Sequence, residues 1–380
     1  MNSQLTYAMI GGGSGAFIGE VHRRAIALDS TATLVAGALS STPERSLDSA
    51  RALALPADRS YGSYAELIEK ESVRTDRADF VVIVTPNDSH YPIAHAALSA
   101  GFHAVLDKPS THTAAQSAQL AAIAEKNNLL CCVTYNYTGY PMVRQARAMI
   151  QAGTLGNIRK LFVEYHQGWL ASDLEKSGQK QAAWRVDPKR AGLGGALGDI
   201  GTHAENLAAF VTGLDLESVY AQLNSFVPGR SLDDDASVLM NYSGGAKGVL
   251  TASQICIGRG NGLSLRVYGD MGALEWRQES PDELTVTPLD GNPMVFTRGG
   301  PGLHEDANIS SRIPQGHPEG YLEAFANLYR GVAEVITKKR AGEKPTRLGE
   351  LVPTIRDGER GVRFVEACVE SAHGACAVKI

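Results

Sequence analysis

Apolar and polar positions alternate along this chain in two different ways, and the change falls near residue 135. Before it, short apolar runs alternate with helix-length segments. Residues 7–10 form a compact apolar run that enters a glycine cluster. The stretch over about 19–28 then reads as a helix. A second run covers 33–39, and a helix starts at Pro43, a residue suited to the first helical position. Residues 64–69 continue as helix. Residues 79–84 are continuously apolar, as in a parallel strand covered on both faces. A helix over 91–100, closed by Gly101, leads to a strand at 103–106, and a helix over 114–127 leads to one at 129–134. This repetition predicts a doubly wound parallel sheet.

Past residue 135, strand-like runs follow one another at 161–165, 218–223, 236–242, 249–257 and 263–268. Short turns such as Ser243-Gly244-Gly245 join several of them. Strands in succession predict an antiparallel or mixed sheet. The fold class is therefore α/β, with residues 1–135 as one domain and 136–380 as a second, α+β domain. A length of 380 residues agrees with two or three domains.

The first strand runs straight into Gly11-Gly12-Gly13-Ser14-Gly15-Ala16-Phe17-Ile18-Gly19. Strand, glycine turn and helix form the setting of a dinucleotide-binding (Rossmann) loop. Gly11 and Gly13 fit the first two positions of G-x-G-x-x-G, and Ala16 fits the sixth in its G/A form. Gly15 and Gly19 point to a longer turn. The segment Gly11, Gly13, Ser14, Gly15, Ala16, Phe17 and Ile18 is expected to meet a pyrophosphate at the helix N-terminus. The plainer alternative is a glycine-rich surface turn. At the second strand tip, an acid would hold an NAD ribose. Ser40, Ser41 and Arg45 stand there instead and lean toward a 2′-phosphate, while Ser40 or Ser41 could also cap the next helix. The cofactor is accordingly NAD or NADP. Two further strand tips carry polar motifs, Thr85-Pro86-Asn87-Asp88-Ser89-His90 and Asp107-Lys108-Pro109.

These motifs, in this order, resemble the glucose–fructose oxidoreductase/inositol dehydrogenase (Gfo/Idh/MocA) family of NAD(P)-dependent oxidoreductases. Asp107 stands where the family usually has Glu. Within 192–203, Gly194-Gly195-Ala196-Leu197-Gly198-Asp199-Ile200-Gly201-Thr202-His203 is similar to the family's GGG-x-L-x-D-x-G-x-H block, with Leu193 replacing one glycine. The resemblance covers nearly the whole chain. It implies a second domain with a large open, mainly antiparallel sheet, helices on one face, and a homo-oligomer (dimer or tetramer) built on the other. It implies that His203 is the catalytic base, that Lys108 bonds the reacting oxygen, and that Asp199 orients His203 or binds a neighbouring hydroxyl. Asp199 and His203 would share a helix face four residues apart. Thr85, Pro86, Asn87, His90 and Asp107 would border the cofactor. Lys108 and His203 would meet across an interdomain cleft.

Other candidates are weaker. Tyr137 lines a sugar-sized pocket or packs at the domain junction. Trp184, beside Arg185, stacks on a substrate ring or fills core. His317, in His317-Pro318-Glu319-Gly320-Tyr321, touches substrate or lies in the turn before the helix over 322–336; the segment is similar to a branch of the family that oxidises polyols, inositols and anhydrosugars. Asp233-Asp234-Asp235 reads as a solvated turn. No metal is expected, since hydride transfer needs none.

A net charge of −5 gives no reason to expect nucleic acid or an anionic membrane as partner. No signal segment or membrane-spanning run is present. Five cysteines, odd in number and without C-x-x-C, suit free thiols in a reducing cytoplasm. The expected function is an NAD(P)-dependent dehydrogenase acting on a sugar, inositol or anhydrosugar-like cyclic polyol. The alternatives are a diol or cyclic-imine oxidoreductase, and a catalytically silent dinucleotide-sensing regulator.

Overall fold

The computed structural model describes residues 4–380. Its first sheet is built from β1 (Leu5–Gly11), β2 (Ala32–Ala38), β3 (Phe80–Val84), β4 (His103–Leu106) and β5 (Cys131–Val133). The helices between them are α1 (Phe17–Leu28), α2 (Pro43–Ala52), α3 (Tyr64–Ser72), α4 (His90–Ser99) and α5 (Ala114–Lys126). Local signals fix several helix ends. Ser63 accepts from the Glu66 N–H, and Thr113 with Gln116 forms a reciprocal capping box ahead of α5. The strands are parallel in the order β2-β1-β3-β4-β5. All five residues of β3 are buried, as its unbroken apolar run predicts. From β1 the chain turns one way to β2 and then the other way to β3 and beyond. That reversal opens a crevice at the carboxyl ends of β1 and β3, where doubly wound sheets bind ligands.

The chain continues through α6 (Pro141–Gln151), β6 (Ile158–His166), α7 (Lys180–Arg185), α8 (Pro188–Ala191), a π-helical turn (Leu197–Gly201) and α9 (Thr202–Thr212). Next come β7 (Leu216–Asn224), β8 (Asp235–Tyr242), β9 (Lys247–Ser253), β10 (Gly262–Gly269), β11 (Gly272–Arg277), β12 (Glu283–Pro288) and β13 (Met294–Thr297). The last elements are α10 (Glu305–Asn308), α11 (Tyr321–Arg340), α12 (Arg347–Glu350), α13 (Ile355–Gly374) and β14 (Val378–Lys379). The second sheet has nine strands in the order β13-β12-β11-β10-β6-β9-β8-β7-β14. Only the β6–β9 pair is parallel. Burial alternates along β6: Leu161, Val163 and Tyr165 point to the side that α9 packs on. On the opposite side Phe162 lies edge-on to Tyr268, with Lys160 and Arg266 over its ring.

Two compact units result. One holds residues up to Asn136 together with Leu322–Glu359; the other holds Tyr137–Tyr321 and Arg360–Ile380. A single cut at 135 therefore misses the return of Leu322–Glu359 to the first unit. The physical reason is a hydrophobic and polar seam: Tyr329 reaches Phe80 and His22, and the Val133 N–H bonds Pro353 O. Among the described residues, no helix is long and apolar enough to cross a membrane.

Candidate active site

In the first unit the glycine loop links β1 to α1 at the crevice. Its tightest contact joins Gly12 and Gly19, since a Cβ on Gly19 would lie 2.3 Å from Gly12 Cα. The helix can approach the loop only because both positions lack side chains. The close-packing role of the fingerprint's last glycine thus falls on Gly19. Ala16, which fits the sixth position by spacing, is the N-cap of α1 and has no side-chain cap. Gly15 sits at φ +80° with nothing within 4 Å of a built Cβ, so this part of the loop lies open. Three loop N–H groups are engaged within the protein. Gly13 donates to Leu39 O (3.0 Å), Ser14 to Ser49 Oγ (3.1 Å) and Ala16 to Gly13 O (3.0 Å). Phe17 and Ile18 occupy the first turn of α1, where N–H groups lack intrahelical acceptors. A backbone cradle at a helix N-terminus fits a pyrophosphate.

Ser49 carries no sequence signal, yet it ties the loop to α2. Nearby, Ser46 Oγ accepts from the Leu39 N–H and donates to Tyr61 O, which fixes the tip of β2. Ser40 Oγ accepts from the Thr42 N–H (3.2 Å), while Ser41 and Arg45 are exposed. No acid stands at the tip.

At the next tips, His90 is wholly buried. Its Nδ1 lies 2.8 Å from Pro109 O and its Nε2 2.9 Å from Thr85 O. Burial holds its pKa below the usual value, against Asp107 and the two carbonyls, which favour the cation. The ring acts on the two loops through their backbone. Asp107 Oδ1 takes the Lys108 N–H (2.9 Å) and Thr134 Oγ1 (3.1 Å). Lys108 itself is half-buried. Thr85 Oγ1 accepts from Ser89 Oγ (2.8 Å), and Asn87 is buried.

In the second unit the glycine block ends in the π-helical turn, where the Thr202 N–H bonds Leu197 O, five residues back. Such turns are rare and recur at functional sites. The wider turn changes the pitch on which a four-residue spacing would align two side chains. Asp199 directs Oδ2 to Arg185 Nε (3.0 Å) and Gln254 Nε2 (2.9 Å). Arg185 lies over the Trp184 ring (4.2 Å to its centroid), and Trp169 is farther off at 5.9 Å. So Arg185 joins the Trp184 ring to Asp199.

His203 is buried, with its ring 4.9 Å from that of Tyr137, edge to face. From Tyr137 a polar chain runs outward. Its hydroxyl lies 2.5 Å from that of Tyr165 and accepts from Asn261 Nδ2 (3.1 Å). Tyr165 donates to Asn261 Oδ1, as does Gln167 Nε2; Gln167 Oε1 receives Trp169 Nε1 and Gln254 Nε2. Burial raises the pKa of both phenols, which keeps them protonated donors. Tyr165, Gln167, Gln254 and Asn261 have no spacing pattern in the sequence. His317 is exposed, its Nδ1 turned to Pro314 O (3.3 Å) in the turn that precedes α11.

The acidic triplet differs from the solvated turn expected of it. Asp233 accepts the N–H groups of Gly195 and Leu197, and Asp234 those of Phe226 and Val227. Backbone donors take the place of water at Asp233 and Asp234, and Asn224 Nδ2 donates to Asp235 Oδ2 (3.3 Å). Among the described residues, no group of three His, Cys, Asp or Glu side chains is arranged to hold a metal ion.

Residues 5–135 match the profile of the oxidoreductase family's NAD-binding Rossmann fold, and residues 143–275 match the GFO/IDH/MocA C-terminal domain. The chain is 36% identical over 98% of its length, and 96% of the relative's, to the uncharacterized oxidoreductase YfiI of Bacillus subtilis. The protein belongs to the GFO/IDH/MocA oxidoreductase family. A further relative is the levoglucosan dehydrogenase of Pseudarthrobacter phenanthrenivorans, 30% identical over 97% of this chain and 96% of that protein. Among solved structures, an inositol dehydrogenase homologue from Azotobacter vinelandii, complexed with NADH and myo-inositol, is 35% identical, with a TM-score of 0.92 over 100% of this chain and 98% of that one. In this GFO/IDH/MocA oxidoreductase the first unit is thus an NAD-binding Rossmann domain, with NAD and NADP both open.

Proposed function

We propose that this oxidoreductase is an NAD(P)-dependent dehydrogenase of a cyclic polyol: an inositol, a sugar or an anhydrosugar. The observation that carries the reading is the hydrogen-bonded set Tyr137, Tyr165, Asn261, Gln167, Gln254 and Asp199 beside His203. A polyol presents several hydroxyls, each both donor and acceptor. Phenols, amides and a carboxylate offer matching groups in both senses. The names of the relatives, levoglucosan dehydrogenase and inositol dehydrogenase homologue, point the same way. The domain assignment belongs to this reading: cofactor on the first unit, substrate and homo-oligomer contacts on the second.

Bound at the glycine loop and the tips of β2, β3 and β4, the nicotinamide would supply the hydride acceptor. Gly11 to Ile18 would hold the phosphates; Ser40, Ser41 and Arg45 the adenosine ribose; Thr85, Pro86 and Asn87 the nicotinamide side. His203 would take the hydroxyl proton, because loss of hydride from a carbinol carbon requires that proton to leave. Lys108 would donate to the same oxygen and stabilise its developing negative charge. Asp199 would bind a neighbouring hydroxyl or orient His203.

The test is a panel of inositols, anhydrosugars, sugars, linear diols and cyclic imines, followed by nicotinamide absorbance with NAD and NADP. Turnover of a cyclic polyol is expected. Cofactor binding without turnover across the whole panel would replace the dehydrogenase with a dinucleotide sensor. Preference for a diol or imine would change the substrate class alone.

A further inference from the structure

The helix that carries His203 has no cap of its own. Its π-helical start follows Ala196, which offers no side-chain acceptor. The acceptor comes from far along the chain. Asp233 Oδ1 takes the Gly195 N–H at 2.7 Å, and its Oδ2 takes the Leu197 N–H at 2.7 Å. The Asp233 carbonyl receives the Ala196 N–H as well (2.8 Å). A Cβ on Gly195 would lie 2.0 Å from that carbonyl oxygen, so the two backbones are in direct contact. Next in sequence, the Asp234 carbonyl takes the Gln254 N–H (2.9 Å), and the Gln254 amide donates to Asp199 Oδ2 (2.9 Å). One acidic turn therefore reaches the glycine block and, through Gln254, Asp199. The Asp199 N–H closes back on Gly195 O (2.9 Å).

We infer that Asp233 is a positioning residue for hydride transfer, fixing the turn that carries Asp199 and leads into the helix of His203. The inference rests on the function proposed above for those two residues. A carboxylate that takes two N–H groups at once resists both translation and rotation of the turn. Asp235 begins β8, so the anchor is a sheet strand, not another mobile loop. The adjacent π-helical turn makes this restraint matter. An i→i−5 turn that opens an α-helix can relax to regular α geometry, which would rotate the glycine block before it relative to α9.

The experiment compares the full-length protein with Asp233→Asn, which keeps the shape but leaves one acceptor and turns an amide toward a backbone N–H. Asp233→Ser is the second variant. The expected result is a kcat at least tenfold lower in Asp233→Asn, with NADH affinity by fluorescence within twofold of the parent. The near-UV circular dichroism should be retained, and the primary deuterium isotope effect on kcat should rise as the chemical step becomes limiting. A merely structural carboxylate would lower the melting temperature and leave the isotope effect unchanged, and that result overturns the inference. Failure of both variants to fold overturns it too, in favour of a folding role. If the parent turns over no substrate on the panel, the proposed function fails separately. The positioning claim is then decided by proton NMR titration of the His203 imidazole: a shifted midpoint in Asp233→Asn supports it, an unchanged one overturns it.

Discussion

Gly12 and Gly19 meet backbone against backbone, and the 2.3 Å left for a Cβ on Gly19 admits no side chain. This contact sets how closely the start of α1 approaches the end of β1. The N–H groups of the helix's first turn then lie at the crevice where the strand order reverses.

Gly19→Ala should therefore do two kinds of damage. Overpacking at a backbone contact costs roughly 1–3 kcal/mol. Displacing the helix N-terminus should weaken NADH binding by at least tenfold. Gly15→Ala is the contrasting variant: the space is open, but φ is +80°, so strain of about 1–2 kcal/mol is the main effect. Melting curves and NADH fluorescence titrations of both check the pair; equal NADH affinities would deny the contact its role.

Cofactor choice is a second prediction. The tip of β2 presents Ser40, Ser41 and Arg45, and no acid. Ser40→Asp should move the ratio of kcat/KM values toward NAD, because a carboxylate accepts from a ribose 2′-hydroxyl and repels a 2′-phosphate. An unchanged ratio would mean that the ribose lies elsewhere.

Much of this was legible in the sequence because it rests on local pattern. The unbroken apolar run of β3 and the strand–glycine–helix setting of Gly11 each depend on neighbours in sequence. What was hidden depends on partners far along the chain. Asp233 looks like a solvated charge until the N–H groups of Gly195 and Leu197 are seen to meet it. Gln167, Gln254 and Asn261 are single amides with no spacing to mark them, and only adjacent strands and loops unite them. Spacing favours Ala16 at the fingerprint's sixth position, and spacing alone cannot tell that Gly19 is the residue that touches Gly12. His90 carries no mark in the sequence of what its ring meets: it is enclosed and bonds the backbone of two loops, at Pro109 and Thr85.

A third prediction concerns stability and pH. His22 is wholly buried, Nδ1 2.5 Å from the Tyr329 hydroxyl, and burial pulls its pKa down to about 4. The unfolded chain would take up a proton near pH 6.5 that the folded state refuses until about 4. The stability contributed by neutral His22 is therefore present above pH 6.5 and lost as pH falls through 4. His22→Asn should remove about 3 kcal/mol of this pH dependence between pH 7 and 4. Tyr329→Phe should cost about 1–2 kcal/mol at neutral pH by leaving the imidazole unpaired. Urea unfolding across that range measures both, and parallel pH curves for parent and His22→Asn would refute the assignment.

The last prediction separates Lys108 from His203. Lys108 follows β4 in the first unit, in a loop bonded by Asp107 and by His90 through Pro109; His203 stands in α9 of the second. The proposed reaction asks different things of them. A base must be able to lose its proton at working pH, whereas a charge-stabilising donor must keep its own. His203→Ala should lower kcat about 10²–10⁴-fold with cofactor affinity near the parent's. Lys108→Met keeps the apolar stem but removes the charge and all three donors, so it should be at least as damaging. The pH profile tells the roles apart. With His203 as base, activity falls on the acid side as the imidazole protonates, so that limb should vanish or move in His203→Ala and persist in Lys108→Met. A limb that follows Lys108 instead would make the lysine the base and leave His203 as the donor. Turnover near the parent's in both variants would remove the proposed site.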